Sequence, residues 1–270
     1  MAICDFTCPI RTNATQMHEE LQQQPHRILC GTVWGGIEPA RLDVATKGVN
    51  GSLYSTASGG KRGGDIYYLS VCSSDLLTRI MVADVRGHGE QVSEISSWIY
   101  QSLHGKMNSV DCAGVLSDLN QMVHSRGFAA ITTAAVVSHN LANSTLYYSY
   151  AGHPPVLARR SGRRWLPLTL EAQPGKANLP LGVFCNVPYD QGEARVQTGD
   201  HFLLYTDGLS EAMNPASGEE FGETQLPDLL EAQADGDIER VRDALVDGVI
   251  AFSGGPLLQD DCTLMVVEVR

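Results

Sequence analysis

Apolar residues along the chain fall into runs of two periods. Between residues 28 and 58 the runs are short and strand-like, broken by Gly31, Gly35-Gly36, Gly48 and Asn50-Gly51. Leu42, Val44 and Thr46 alternate with polar neighbours, and Leu53, Tyr54 and Thr56 follow, a pattern that predicts a hairpin turning at Asn50-Gly51. Ile66–Val71 and Leu76–Ala83 read as strands, the second apolar enough to lie at the centre of a sandwich and to end at Asp84. The period then changes. Ile95, Trp98, Ile99 and Leu103 form a helical stripe within residues 93–103. A second helix is expected from an Asp111 N-cap through Val115, Leu116, Leu119 and Val123 to a stop at Gly127.

Strands return in quick succession at Ala130–Ser138, Thr145–Ala151, Val156–Arg159, Trp165-Leu166, Glu193–Val196 and His201–Thr206, with a loop over Glu171–Pro180. Helices are predicted over Thr224–Ala232 and Ile238–Phe252, and Cys262–Val269 closes the chain as a strand. Strands and helices thus come in blocks rather than in strict alternation, which favours antiparallel sheets with helices paired on their outer faces, an α+β architecture. With no internal repeat or low-complexity linker, one domain is expected over residues 28–270. Residues 1–27 are expected to form an N-terminal extension, with at most a short helix at Gln16–Gln24.

Composition changes this picture mainly by exclusion. A 43% hydrophobic content supports a sizeable core. The formal charge of −12 argues against a nucleic-acid or anionic-membrane partner. No apolar run approaches the roughly 20 residues that span a bilayer, and residues 1–13 lack the basic and apolar regions of a secretory signal. The seven cysteines are scattered, and Cys4 and Cys8 lack the second pair that a zinc clip needs, so reduced thiols in a cytoplasmic protein are expected.

The chemistry lies in aspartates at strand ends. Asp65 follows Gly63-Gly64, Asp84 ends an apolar strand, Asp207 follows Phe202–Thr206 and precedes Gly208, and Asp260-Asp261 open the last strand. A carboxylate in such a place is expensive to bury unless a cation or several donors compensate it. Four such places suggest a shared cation. The donors are hard oxygens with no Cys or His cluster, which favours Mg²⁺ or Mn²⁺ over Zn²⁺. No Cys-x₅-Arg phosphate loop offers a protein nucleophile.

Six segments occur in a telling order: Gly63-Gly64-Asp65, Ala83–Gly89, Ala151-Gly152-His153-Pro154-Pro155, Pro180-Leu181-Gly182, Tyr205–Ala212 and Asp260-Asp261-Cys262-Thr263. From about residue 52 onward the chain resembles the metal-dependent protein phosphatase (phosphatase 2C) superfamily. The match is to its bacterial branch of stage II sporulation protein E-like and stress-response serine phosphatases. The resemblance implies a four-layer α-β-β-α sandwich with two Mn²⁺ or Mg²⁺ ions in a cleft at one end. By motif position Asp84 would bridge both ions and the Val85 carbonyl would bind one of them. Asp207 and Asp260 would bind the other, and Asp65 would serve the first directly or through water. Asp261 would orient its neighbour. The implied reaction is hydrolysis of a phosphoserine or phosphothreonine by a metal-bridging water, on a partner protein such as an anti-sigma-factor antagonist.

The chain also departs from that pattern. Arg86 stands where the eukaryotic branch carries a His, so the candidates for proton donation become His88 and His153, with Arg86 a candidate phosphate contact. The lead-in Ser58–Arg62 is unusually basic and glycine-rich. Glu211 reads as structural, or as support behind the metal ligands, rather than as catalytic. The cluster Arg159, Arg160, Arg163 and Arg164 reads either as a solvated hairpin tip or as a docking patch for an acidic partner. Two other functions remain open at this level: a phosphatase-fold binding module without activity, and a phosphatase of small phosphoesters.

Overall fold

The computed structural model describes residues 25–58, 61–72, 74–87, 90–103, 109–171, 178–233, 236–255 and 260–270. Among these residues thirteen strands form two sheets. The first holds seven: β1 (His26–Arg27), β3 (Ala40–Ala45), β4 (Val49–Thr56), β13 (Cys262–Val269), β12 (His201–Tyr205), β9 (Leu157–Arg159) and β10 (Leu166–Pro167), in that spatial order. The second holds six: β11 (Gly192–Arg195), β8 (Thr145–Ala151), β7 (Thr132–Asn140), β6 (Leu77–Val85), β5 (Asp65–Val71) and β2 (Val33–Gly36). All neighbours pair antiparallel except β1, which lies parallel to β3. The sequence pattern had left β1 within the N-terminal extension; residues 1–24, with Cys4, Cys8 and the expected Gln16–Gln24 helix, lie outside the described residues.

The central strands are apolar at successive positions because both of their faces are buried. In β12, Phe202 and Leu204 enter the core between the sheets, while Leu203 and Tyr205 face an outer helical layer. In β13, Met265 and Val267 do the first and Leu264 and Val266 the second. The same division holds in β6, where Ile80 and Val82 point between the sheets and Met81 and Ala83 point outward. Outside the six-stranded sheet pack α1 (Glu90–Ser102) and α2 (Cys112–His124), through Ile99, Leu103, Leu116 and Leu119. Outside the other sheet lie the short turns α3 (Asp207–Ser210) and α4 (Phe221–Thr224), then α5 (Leu226–Ala232) and α6 (Ile238–Phe252). Phe221, Leu230, Val241 and Leu245 seal that side. Three cores separating four layers make the expected α-β-β-α sandwich.

Helix α2 begins as the sequence implies, with the Asp111 carboxylate accepting from Gly114 N–H at 2.7 Å. The hairpin does not turn as expected. Asn50 and Gly51 lie inside β4, and the reversal falls at Thr46–Gly48. Thr46 Oγ1 accepts from both Gly48 N–H (3.2 Å) and Val49 N–H (2.9 Å), holding the turn four residues early. Gly51 answers to packing instead: a Cβ there would lie 2.4 Å from Met265 Cε across the pair. Thr46→Val is therefore expected to destabilise the fold by about 1–2 kcal/mol, the cost of leaving buried donors unpaired, read as a lower urea midpoint with unchanged slope. The five cysteines among the described residues are free thiols, and no helix among them is long and apolar enough to cross a membrane.

Candidate metal centre

The alternation that fills the core also aims the aspartates. Asp65 shares its face of β5 with Tyr67, and Asp84 shares its face of β6 with Val82, so both project between the sheets. The register places them directly opposite one another. From the facing sheet, Thr206 and Thr263 point into the same gap. Thr206 Oγ1 donates to Asp65 Oδ2 at 2.8 Å and accepts from Thr263 N–H at 3.0 Å, while Thr263 Oγ1 meets Ser55 Oγ at 2.9 Å. Asp65 is 2% exposed, yet its Oδ1 has no hydrogen-bond partner. Burial, and then the neighbouring Asp84, hold its carboxyl well above the usual carboxylate range.

Asp84 is more open. Its pKa is pushed up to about 8, first by burial and then by Asp207, Asp260, Asp261 and Glu211. Asp207 is half-buried in the first position of α3, and burial raises it too. Asp260 stands exposed at the rim, where its Oδ1 accepts from Asp261 N–H at 2.8 Å. Glu211 is raised first by its partial burial and then by Asp207, Glu220 and Asp260, which places it in the same acidic field. Even the buried thiol of Cys262 is pushed up by burial and by four of these aspartates. Carboxylates converge here without a compensating cationic side chain among the groups that act on Asp84.

Asp261 has a wider role than orienting its neighbour. It is 2% exposed, and its Oδ1 accepts from Ser58 N–H (2.7 Å) and Ser58 Oγ (3.2 Å), while its Oδ2 accepts from Gly64 N–H at 2.5 Å. It therefore pins both ends of the lead-in to Asp65. Two glycines allow the close approach. A Cβ on Gly64 would lie 2.6 Å from the Val85 carbonyl oxygen, and one on Gly208 would lie 1.8 Å from the Asp261 carbonyl oxygen. Backbone cannot yield as a side chain can, so Gly208→Ala is expected to push Asp207 and Asp261 apart. We expect it to lower Mn²⁺ affinity by at least about tenfold, the usual scale for disturbing groups behind a metal ligand, measured by calorimetry.

The remaining candidates are spread around this gap. Arg86 is exposed just after β6, its N–H bonded to the Ile131 carbonyl. His153 is buried, with Nδ1 2.9 Å from Thr133 Oγ1, and Thr133 sits directly across from Asp84 on β7. Burial lowers its pKa to about 4, so the imidazole is neutral near pH 7. His88 lies outside the described residues. Sequence reasoning had not singled out Thr206, Thr263 or Thr133. The available signal was their parity: each lies an even number of residues from an inward-facing core position on its strand.

Among the described residues no three His, Cys, Asp or Glu side chains already meet as a ready-made ligand set. The donor chemistry nonetheless fits a hard divalent cation. Carboxylates from three later segments act on Asp84, Asp84 stands across the ladder from Asp65, and the buried Asp65 Oδ1 has no hydrogen-bond partner of its own.

The family model for stage II sporulation protein E matches residues 74–270. The chain belongs to that family. Solved structures of similar fold extend the likeness over most of this family member. The PP2C phosphatase domain with a regulatory fragment of SpoIIE from Bacillus subtilis superposes with a TM-score of 0.69 at 16% identity, over 97% of this chain and 77% of that one. The RsbU and RsbW domains of Rv1364c from Mycobacterium tuberculosis give 0.67 at 22% identity, over 89% of this chain. The match spans 63% of that longer chain. RsbX in complex with magnesium gives 0.63 at 16% identity, over 86% of this chain and all of the other. These identities speak for a shared PP2C fold. No curated protein sequence matches the chain.

Proposed function

We propose that this family member is a metal-dependent protein serine/threonine phosphatase acting on a phosphorylated regulator of a bacterial partner-switching system. The observation that carries the reading is the cross-strand pair Asp65–Asp84, aimed into one gap with Asp207 and Asp260 at its rim, with only carboxylates among the charged groups that raise Asp84. Asp65, Asp84, the Val85 carbonyl, Asp207 and Asp260 would hold two Mn²⁺ or Mg²⁺ ions. Bound there, the ions would supply the positive charge that neutralises phosphoryl oxygens and makes water nucleophilic at neutral pH. Magnesium in RsbX supports the choice of ion.

The chain's own residues then divide the remaining tasks. Thr206 holds Asp65 in one orientation by donating to Oδ2, leaving Oδ1 for the cation. Asp261 fixes the loop before Asp65. Arg86, exposed two residues after Asp84, would take the substrate's phosphate by its planar fork. His153, neutral and buried, positions Thr133 opposite Asp84 and is poorly suited to donate a proton. The test is hydrolysis of p-nitrophenyl phosphate and of a phosphoserine protein with and without Mn²⁺. Both activities are expected to require the metal and to stop in EDTA. Turnover that survives the chelator would remove this reading, and Mn²⁺ binding without turnover of either substrate would favour the binding module.

A further inference from the structure

The end of the sandwich remote from Asp65 carries a concentration of positive charge. Arg159 pairs with His201 at the start of β12, whereas Asp207 follows the end of that strand. Six residues of nearly extended chain, roughly 20 Å, separate Asp200 from Asp207. At that far end, β9 and β10 on one sheet and β11 on the other flank a cleft of about 440 Å³. Its rim carries Arg160, Arg163, Arg164 and Arg195, four of the 19 cationic side chains in a protein of charge −12. Buried Ala158, Leu168 and Val196 supply apolar lining beneath, and Leu166 adds an apolar side chain left 63% exposed.

The rim is built rather than incidental. Ser161 and Gly162 both have positive φ, 55° and 66°, the two central residues of a primed turn whose Arg163 N–H bonds the Arg160 carbonyl at 3.1 Å. Asp200, 2% exposed, locks this turn by accepting from Ser161 N–H (2.7 Å) and Gln197 N–H (3.0 Å). Its carboxylate is thereby committed to backbone rather than to the arginines. Arg195 arrives from the other sheet and donates to the Asn143 carbonyl. Arg164 approaches Glu231 at 3.6 Å, but its side chain is 83% exposed, so that pair holds it weakly. Among the described residues Arg160 and Arg163 form no ion pair. Converging guanidinium groups repel one another, and the local field they create attracts anions against the sign of the whole molecule.

We propose that this cleft binds a small organic phosphate with more than one phosphate group, of nucleotide size. The guanidinium forks take the phosphate oxygens, which they match in pairs, and Leu166 and Leu168 pack against the apolar body. A cavity of this volume lies in the range that encloses such ligands. A flat docking patch would need neither the apolar lining nor Arg195. Because the cleft is separate from the acidic gap, the proposal stands whether or not the phosphatase reading does.

The test is titration calorimetry of the full chain with ATP and with pyrophosphate, in EDTA so that no metal links a phosphate to the aspartates. Saturable one-to-one binding of ATP is expected, weakening as salt is raised. Arg160→Ala/Arg163→Ala should weaken it by at least about tenfold, the scale of one lost charge-assisted hydrogen bond, while Arg240→Ala on α6 should leave it unchanged. Circular dichroism of the double variant separates lost binding from lost folding, and Arg195→Ala from the other sheet provides a second, independent reading. The proposal is overturned by the absence of saturable binding at millimolar ATP. Equal binding by the folded double variant overturns it too. So does tighter binding of poly-glutamate than of ATP, which would assign the cleft to an acidic protein segment.

Discussion

Asp84→Asn is expected to abolish metal-dependent phosphate release while making the metal-free protein more stable. The activity loss follows from geometry: Asp84 is the carboxylate on which the fields of Asp207, Asp260, Asp261 and Glu211 converge, and it lies opposite Asp65. On the proposed reading, Asp84→Asn removes one anionic oxygen ligand and would weaken the hold on a cation that supplies several kcal/mol of transition-state stabilisation. At 1.36 kcal/mol per factor of ten, a loss of at least about a thousandfold is expected. The stability change has the opposite sign. Without metal, burial and like charges push Asp84 up to about 8, so near pH 7 folding must protonate a carboxyl that is ionised in the unfolded chain, and the isosteric amide avoids that cost. Thermal melts should show the variant above the wild type in EDTA, and the rise in melting temperature that Mn²⁺ gives the wild type should shrink or vanish. A variant that keeps metal-stimulated hydrolysis would show that the centre is misplaced.

Asp261→Ala should act through the loop instead. It leaves Ser58 N–H and Gly64 N–H without their acceptor, and Gly63 packs so closely that a Cβ there would lie 2.3 Å from Asp261 Oδ2. Two hydrogen bonds to a charged acceptor are lost from a buried site, so a destabilisation of about 3 kcal/mol or more is expected. Because Asp65 follows Gly64 directly, Mn²⁺ affinity should fall by about ten- to a hundredfold as well. Urea unfolding in EDTA reads the first effect and calorimetry the second. Asp261→Asn keeps an acceptor for one donor and should lie between the two. If alanine changes neither quantity, the loop does not depend on this carboxylate.

Much of this architecture was legible in the chain itself. The block order of strands and helices pointed to a layered antiparallel sandwich, and the bounds of β8, α6 and β13 agree with the expected spans. Apolar residues on consecutive positions, as in Phe202–Tyr205 and Leu264–Val267, announce strands buried on both faces. What failed was local. Asn50-Gly51 carries a strong turn signal, but Thr46 can accept from two backbone donors earlier, and Gly51 lies inside β4 against Met265 and Val44. Short turns such as α3 and α4 were also missed, because four residues carry too little periodicity to register.

The sequence by itself determined which residues are candidates for the chemistry: aspartates beside glycines at strand ends, too costly to bury unless something compensates them. Only the tertiary structure decided how they meet. Register set Asp65 against Asp84, side-chain alternation turned both toward Thr206 on the opposite sheet, and the end of β13 brought Asp261 back to the loop before Gly64. The same is true of the arginine cleft, where a turn between β9 and β10 meets Arg195 from another sheet. Periodicity along a chain reports which face a residue occupies, but the pairing of distant strands depends on the packing of the whole core, and no local pattern encodes it.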